Sequence, residues 1–297
     1  MDVVNKPQFA VIDAPSNLGL SPTGVETLPE ALKNAGLIQG LNADYAGRIE
    51  ASPYNFERDK ATLVLNPHSI KEFSIRLAQK VAAARSEHQF PIVLGGDCSI
   101  LIGCMLALRR LGKYGLFFVD GHSDFYQPEA EPKGEVASME LAIVSGRGPR
   151  VLTDIDGLKP LVQDENIVAF GYRDMEQQQE QGSQDIQETG IHSFDLEHVR
   201  ALGITTAAQQ ALETLQKNQL DGFWIHLDVD VLDDAIMPAV DYRLPDGLHW
   251  DELRDLFKIV MASGKAVGMT LTIFNPKLDP DGTIARKLTQ CVIAGLT

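Results

Sequence analysis

Two short segments of this 297-residue chain set acids and imidazoles at every second position: Asp120, His122 and Asp124 in DGHSD, and His226, Asp228 and Asp230 in HLDVD. In extended chain, alternate side chains point the same way, so each triplet faces one side. Four carboxylates and an imidazole turned into one pocket repel each other and lose hydration, a cost that a bound cation removes. Carboxylate mixed with imidazole suits manganese, iron or zinc, whereas a calcium cage uses oxygen alone. A DxD by itself is a common loop feature and signals little. Here both segments follow a buried apolar run, and the pair predicts a divalent-metal site. His226 shares the direction of Asp228, as a general base, an extra ligand or a hydrogen-bond donor to a carboxylate.

The elements that must position these groups are short apolar, β-rich runs: FAVID at 9–13, PIVL at 91–94, YGLFFV at 114–119, NIVAF at 166–170, GFWIHL at 222–227 and AVGMTLTIF at 266–274. Helical stretches alternate with them, notably 99–111, 205–217 and 249–262. That alternation predicts an α/β fold, three-layered and doubly wound around a mainly parallel sheet. Polar residues follow directly on five of the runs: GGDCS, DGHSD, GYRD, DVD and FNP. Ligands in open α/β sheets bind beyond the carboxyl ends of strands, so these ends should converge on one crevice. The Pro- and Glu-rich 127–134 reads as a surface loop, and the polar 175–188 as a helix or solvated insertion; either could border the site. No repeat or linker interrupts the chain, and residues 1–297 read as one domain.

Composition narrows the partners. With 44% hydrophobic and 23% charged residues the chain can bury a sizeable core. A formal charge of -15 excludes sequence-independent binding to nucleic acid or to anionic membranes, which needs a basic face. The N-terminal MDVVNKPQFAVIDAP lacks the basic and apolar regions of a leader, and no apolar run is long enough to span a bilayer. The expectation is a cytoplasmic protein acting on a small molecule. Cys98, Cys104 and Cys291 are odd in number and not paired in CxxC spacing, which predicts reduced thiols.

The order and spacing of GVETLPEAL at 24–32, GGDCS at 95–99, DGHSD at 120–124, HLDVDVLDD at 226–234 and FNP at 274–276 resemble the ureohydrolase superfamily of arginase, agmatinase and formimidoylglutamase. The resemblance spans most of the chain. It implies a trimeric or hexameric assembly and a pair of manganese ions that activate a bridging hydroxide. By the same resemblance Asp120 and Asp228 bridge the ions, Asp124 completes the first, and His122 and Asp230 complete the second.

Several positions depart from the family pattern. Cys98 stands where the family's GGDHS has a ligand histidine; it is either a thiolate ligand for a softer metal such as zinc or a small buried hydrophobe at a strand-to-helix turn. Ala137 stands for a catalytic histidine, Ile273 for an acid that holds a guanidinium, and Tyr126 for an asparagine used on the amino-acid part of arginine. Glu140, near the lost histidine, reads as a solvated helix glutamate. Arg173 and Arg243 are either carboxylate anchors on site-facing loops or surface arginines.

These residues predict a metal-dependent hydrolase cleaving a C–N bond in an amide, amidine or modified guanidine, with one or two ions of manganese, zinc or iron, and with His226 moving a proton. Two alternatives stay open. One is a zinc deacylase using Asp120, His122 and Asp228 around a single ion; the other is a silent metal-binding member that acts in assembly or regulation.

Overall fold

A computed structural model describes residues 7–297. The reading of the N-terminus rests partly on residues 1–6, which lie outside the described residues. Among the described residues eight strands form one sheet: β1 (Phe9–Ala14), β2 (Asp44–Arg48), β3 (Phe90–Gly95), β4 (Tyr114–Val119), β5 (Ile167–Phe170), β6 (His192–Phe194), β7 (Gly222–Asp228) and β8 (Ala266–Thr272). Their order is β2-β1-β3-β8-β7-β4-β5-β6, and every pairing is parallel.

Side-chain alternation along the inner strands divides the core in two. Val11, Ile92, Leu94, Phe117, Val119, Ile225 and Leu227 join one apolar cluster, packed under the helices Leu28–Asn34, Ile204–Gln216, Trp250–Ala262 and Thr283–Leu296. Ile12, Val93, Leu116, Phe118 and Trp224 join the other, under the helices Pro67–Ser86, Leu101–Leu111 and Glu140–Val144. Helices on both faces explain why the inner strands are apolar throughout rather than alternating with polar residues. This is the expected three-layer α/β arrangement. Each helical stretch named from the sequence is present, with the first opening as a 3-10 turn at Cys98–Ile100 before Leu101–Leu111.

Two strands were not expected. β2 and β6 are the sheet's edges, short and largely exposed or half-buried, so they lack the apolar run that marks a strand covered on both faces. The last strand also stops at Thr272, because Ile273 turns to φ 71 and leaves the extended region.

Register sets the site. Val119 lies beside Leu227, Asp228 beside Thr272, and Leu94 beside Leu271. The residues that follow β3, β8, β7, β4 and β5, five consecutive strands, therefore emerge in one row. No helix among the described residues is long and apolar enough to cross a membrane. The three cysteines are free and buried, as their spacing implied.

Candidate metal centre

Close backbone approach makes the turns around the row possible. A Cβ on Gly96 would lie 1.8 Å from the Ser16 carbonyl oxygen, and one on Gly121 would lie 2.6 Å from that of Asp230. Glycine at these positions lets the GGDCS and DGHSD turns lie against neighbouring chain.

Asp120, Asp124, Asp228 and Asp230 are all buried and gathered with His122, while His226 comes near Asp120. Beyond the strand ends the chain is not extended, with Asp124 at φ 41 and Asp230 in the 3-10 turn Val229–Val231, so turns and not a period of two aim these groups. Ligand atoms of Asp120, His122 and Asp124 lie within 4.8 Å of one another, as do those of Asp120, Asp228 and Asp230. His122 Nδ1 is 3.0 Å from Asp230 Oδ2, and the Gly121 amide donates to Asp230 Oδ1 at 3.1 Å. Asp120 Oδ1 accepts the His122 amide at 2.7 Å, and Asp228 Oδ1 accepts that of Asp230 at 2.8 Å. Asp120 and Asp228 are thus each fixed by the backbone two residues on, while Asp120 Oδ2 is buried and has no hydrogen-bond partner.

Electrostatics follow from this crowding. Burial, then the neighbouring carboxylates, pushes Asp120 well above the usual carboxylate range; burial and Asp230 do the same to Asp228. For Asp230 burial acts upward, yet the His122 ring, its hydrogen bond and Arg173 outweigh it and hold the group low. His122 is the counterpart: burial opposes its charge, but Asp230 above all raises it to about 10.

His122, Asp124, Asp228 and Asp230 line a cavity of about 140 Å³, with Ala137, Tyr126, Ile273 and Leu20 among its walls. Both loops expected near the site reach it, through Glu131, Pro132 and Lys133 on one side and Gln177 and Gln181 on the other. Glu135 is held there by the Ser21 amide at 3.1 Å and the Tyr242 hydroxyl at 2.6 Å, neither of which the sequence singled out. The Tyr126 hydroxyl is buried without a partner. Ile273, a β-branched residue at positive φ, is strained at this wall.

Four groups lie beneath the cavity rather than on it. Cys98 Sγ is 2.9 Å from Asp228 Oδ2 and 3.0 Å from Thr272 Oγ1. His226 is fully buried, stacked on Phe118 with ring centroids 4.8 Å apart, and its Nδ1 is 2.7 Å from Thr270 Oγ1. Burial lowers its pKa to about 3, so it is neutral. Glu140 is fully buried and not a solvated helix residue, a correction with a visible sequence signal: it is the lone acid in MELAIV, an otherwise apolar turn. The fourth, Asp120, joins Cys98, Glu140 and His226 in a set whose ligand atoms all lie within 4.8 Å of one another.

Neither arginine lines the cavity. The Arg173 guanidinium donates to the carbonyls of Pro245 at 2.8 Å, Leu244 at 2.9 Å and Asp230 at 3.0 Å, bracing the loop behind the site. Arg243 pairs with Asp234 away from the cavity.

A parallel α/β sheet whose strand ends gather carboxylates and imidazoles around one cavity defines a protein of the metal-dependent hydrolase class. A family model described as the arginase family matches residues 7–296, and the chain belongs to that family. An arginase of Staphylococcus aureus strain MRSA252 is 29% identical over 298 residues, covering 98% of this chain and 97% of that protein. The arginase of Bacillus subtilis strain 168 is 29% identical over 290 residues, covering 96% of each. Among solved structures, the native arginase of Bacillus caldovelox superposes with a TM-score of 0.89 at 26% identity, covering 98% of both chains. The formimidoylglutamase of Bacillus subtilis strain 168 shares the fold, with a TM-score of 0.73 at 19% identity over 100% of this chain and 88% of its own.

Proposed function

We propose that this protein hydrolyses a C–N bond in a small polar amide, amidine or modified guanidine, with divalent metal held by Asp120, His122, Asp124, Asp228 and Asp230. The observation that carries the reading is the buried, unpartnered Asp120 Oδ2 amid three further carboxylates on or under a cavity floor. Removing such groups from water without a cation is costly, and oxygen with imidazole is a donor set suited to manganese. Bound metal supplies Lewis acidity and an acidified water at neutral pH.

The chain's own residues do the rest. Tyr126 offers a free hydroxyl to a substrate, and Lys133 and Tyr242 close the rim. Ile273 and Ala137 make apolar wall where the family resemblance implies an acid and a histidine. A guanidinium without its carboxylate forfeits charge-assisted hydrogen bonds of about 1.5–3 kcal/mol each, and a missing acid or base costs roughly 10²–10⁴ in rate. Arginine and agmatine are therefore poor substrates. His226 lies under the cavity and orients the centre instead of exchanging protons with substrate. We place the reaction in the cytoplasm, in a homo-oligomer of single-domain chains.

The test is hydrolysis by metal-stripped protein reloaded with manganese, zinc, iron or nickel in turn. Arginine, agmatine and guanidinobutyrate should release little urea, while a panel of formimino compounds, amidines and acylated amines should contain a turned-over substrate. Robust urea release from arginine overturns the substrate assignment, and inactivity toward every compound overturns the hydrolase reading.

A further inference from the structure

Of the four groups beneath the cavity only Asp120 holds metal in the reading above, and Cys98, Glu140 and His226 bring it sulfur, nitrogen and a further carboxylate. Both oxygens of Glu140, Nε2 of His226 and Oδ2 of Asp120 are buried with no hydrogen-bond partner. Glu140 and His226 are each fully buried, so no water shell compensates them. Orphaned polar atoms of this kind are rare in folded proteins because each carries its full desolvation cost. Here the orphans face one another: Glu140 Oε1 is 4.0 Å from His226 Nε2, too far for a hydrogen bond between them.

We propose that Cys98, Asp120, Glu140 and His226 form a closed cation site for a borderline-soft divalent ion of the zinc class, distinct from the cavity-facing ion and sharing Asp120 with it. This rests on the metal centre proposed above, but Glu140 and His226 are not ligands that the family resemblance implies. One ligand atom from each of the four residues lies within 4.8 Å of all the others, the count that a tetrahedral site needs. The donor set is one sulfur, one nitrogen and two carboxylate oxygens, softer than the oxygen-rich set above it, and thiolate selects zinc over manganese.

The surroundings are those of an oriented ligand set. Thr270 engages His226 Nδ1 at 2.7 Å, and Phe118 stacks on the ring, so Nε2 is directed at the cluster. The Cys98 sulfur has Thr272 at 3.0 Å and Asp228 at 2.9 Å; on binding, its proton leaves to solvent and the thiolate takes its place at the ion. None of the four residues lines the cavity. The ion consequently presents no open position to substrate and acts by fixing Asp120, the residue common to both halves.

The experiment uses the full chain, stripped of metal and equilibrated with zinc and manganese together, with bound metal read by mass spectrometry. Expected is zinc that resists displacement by excess manganese in the wild type. Glu140→Gln and His226→Gln should each weaken zinc by at least the roughly 10–100-fold that loss of a supporting partner costs. Asp230→Asn should lose manganese and keep zinc. Cobalt binding to the wild type should give a near-ultraviolet thiolate charge-transfer band that Cys98→Ser removes; this readout needs no Glu140 or His226 variant to fold. Unchanged zinc affinity in folded Glu140→Gln, or a cobalt spectrum without the thiolate band, overturns the proposal. Retention of manganese by Asp230→Asn instead overturns the cavity-facing centre and leaves the zinc result standing on its own.

Discussion

The cavity-facing and buried halves of the centre solve the same problem differently. In the first, charges are answered by neighbours: His122 pairs with Asp230, and backbone amides hold Asp120, Asp228 and Asp230. In the second, no donor reaches the Glu140 oxygens or the outward nitrogen of His226, and the Glu140 carboxyl meets another acid, Asp124. The first half keeps these hydrogen bonds while its ion exchanges with solvent, although burial and crowding still push Asp120, Asp124 and Asp228 up. The other half depends on its cation, because unsatisfied buried groups cost more than a made hydrogen bond returns.

The comparison breaks most completely at the residue both halves share. Asp120→Ala should reduce bound zinc and manganese together to background in metal analysis, whereas Asp228→Ala should remove the cavity-facing ion with the larger share of the loss. Normal metal content in Asp120→Ala would remove the basis for treating the halves as one centre.

Next in size is a change at the cavity wall that leaves both halves in place. Ile273→Glu puts a carboxylate where a guanidinium could reach it and replaces a β-branched side chain at positive φ. One charge-assisted hydrogen bond of about 1.5–3 kcal/mol corresponds to roughly 10–100-fold tighter binding of arginine or agmatine. Calorimetric titration of the manganese-loaded variant checks this; equal affinities in wild type and variant would show that the wall does not select against guanidines.

A smaller effect separates metal-free from metal-loaded protein by pH. Burial above all raises Asp120, Asp124, Asp228 and Glu140 in the folded chain well above their ordinary values. Raised folded values mean that the native state binds more protons than the unfolded one. This contribution is fully present below the ordinary carboxylate pKa of about 4 and is lost as pH rises toward the raised values. Divalent ions replace the protons. The gap in Tm between loaded and chelator-treated protein should therefore widen from pH 5 to pH 8, and a gap that narrows would contradict this electrostatic account.

The smallest expected change tunes the buried half. Cys98→His exchanges thiolate for imidazole, which should lower the preference for zinc over manganese while keeping a site there. Competition between the two metals, followed by mass spectrometry, measures it. An unchanged preference would mean that the sulfur does not set the selectivity.

The sequence by itself determined the sheet's inner strands, because burial on both faces demands continuous apolar runs. It also pointed to Asp120, His122, Asp124, Asp228 and Asp230 as polar groups directly after two buried runs, although the turns that aim them, with Asp124 at φ 41 and Asp230 in a 3-10 turn, are not the extended chain that the period of two assumes. Tertiary structure alone decided what meets that cluster. The edge strands β2 and β6 are polar and short, so pairing with β1 and β5 defines them, not composition. Glu140 joins Cys98 and His226 only because its helix docks on the sheet face that carries Trp224 and Phe118. Arg173 turns from the cavity to five backbone carbonyls because the 230–245 loop folds behind it. Periodicity reports the direction of a side chain from its own backbone; register and helix docking, which depend on distant residues, decide what it faces.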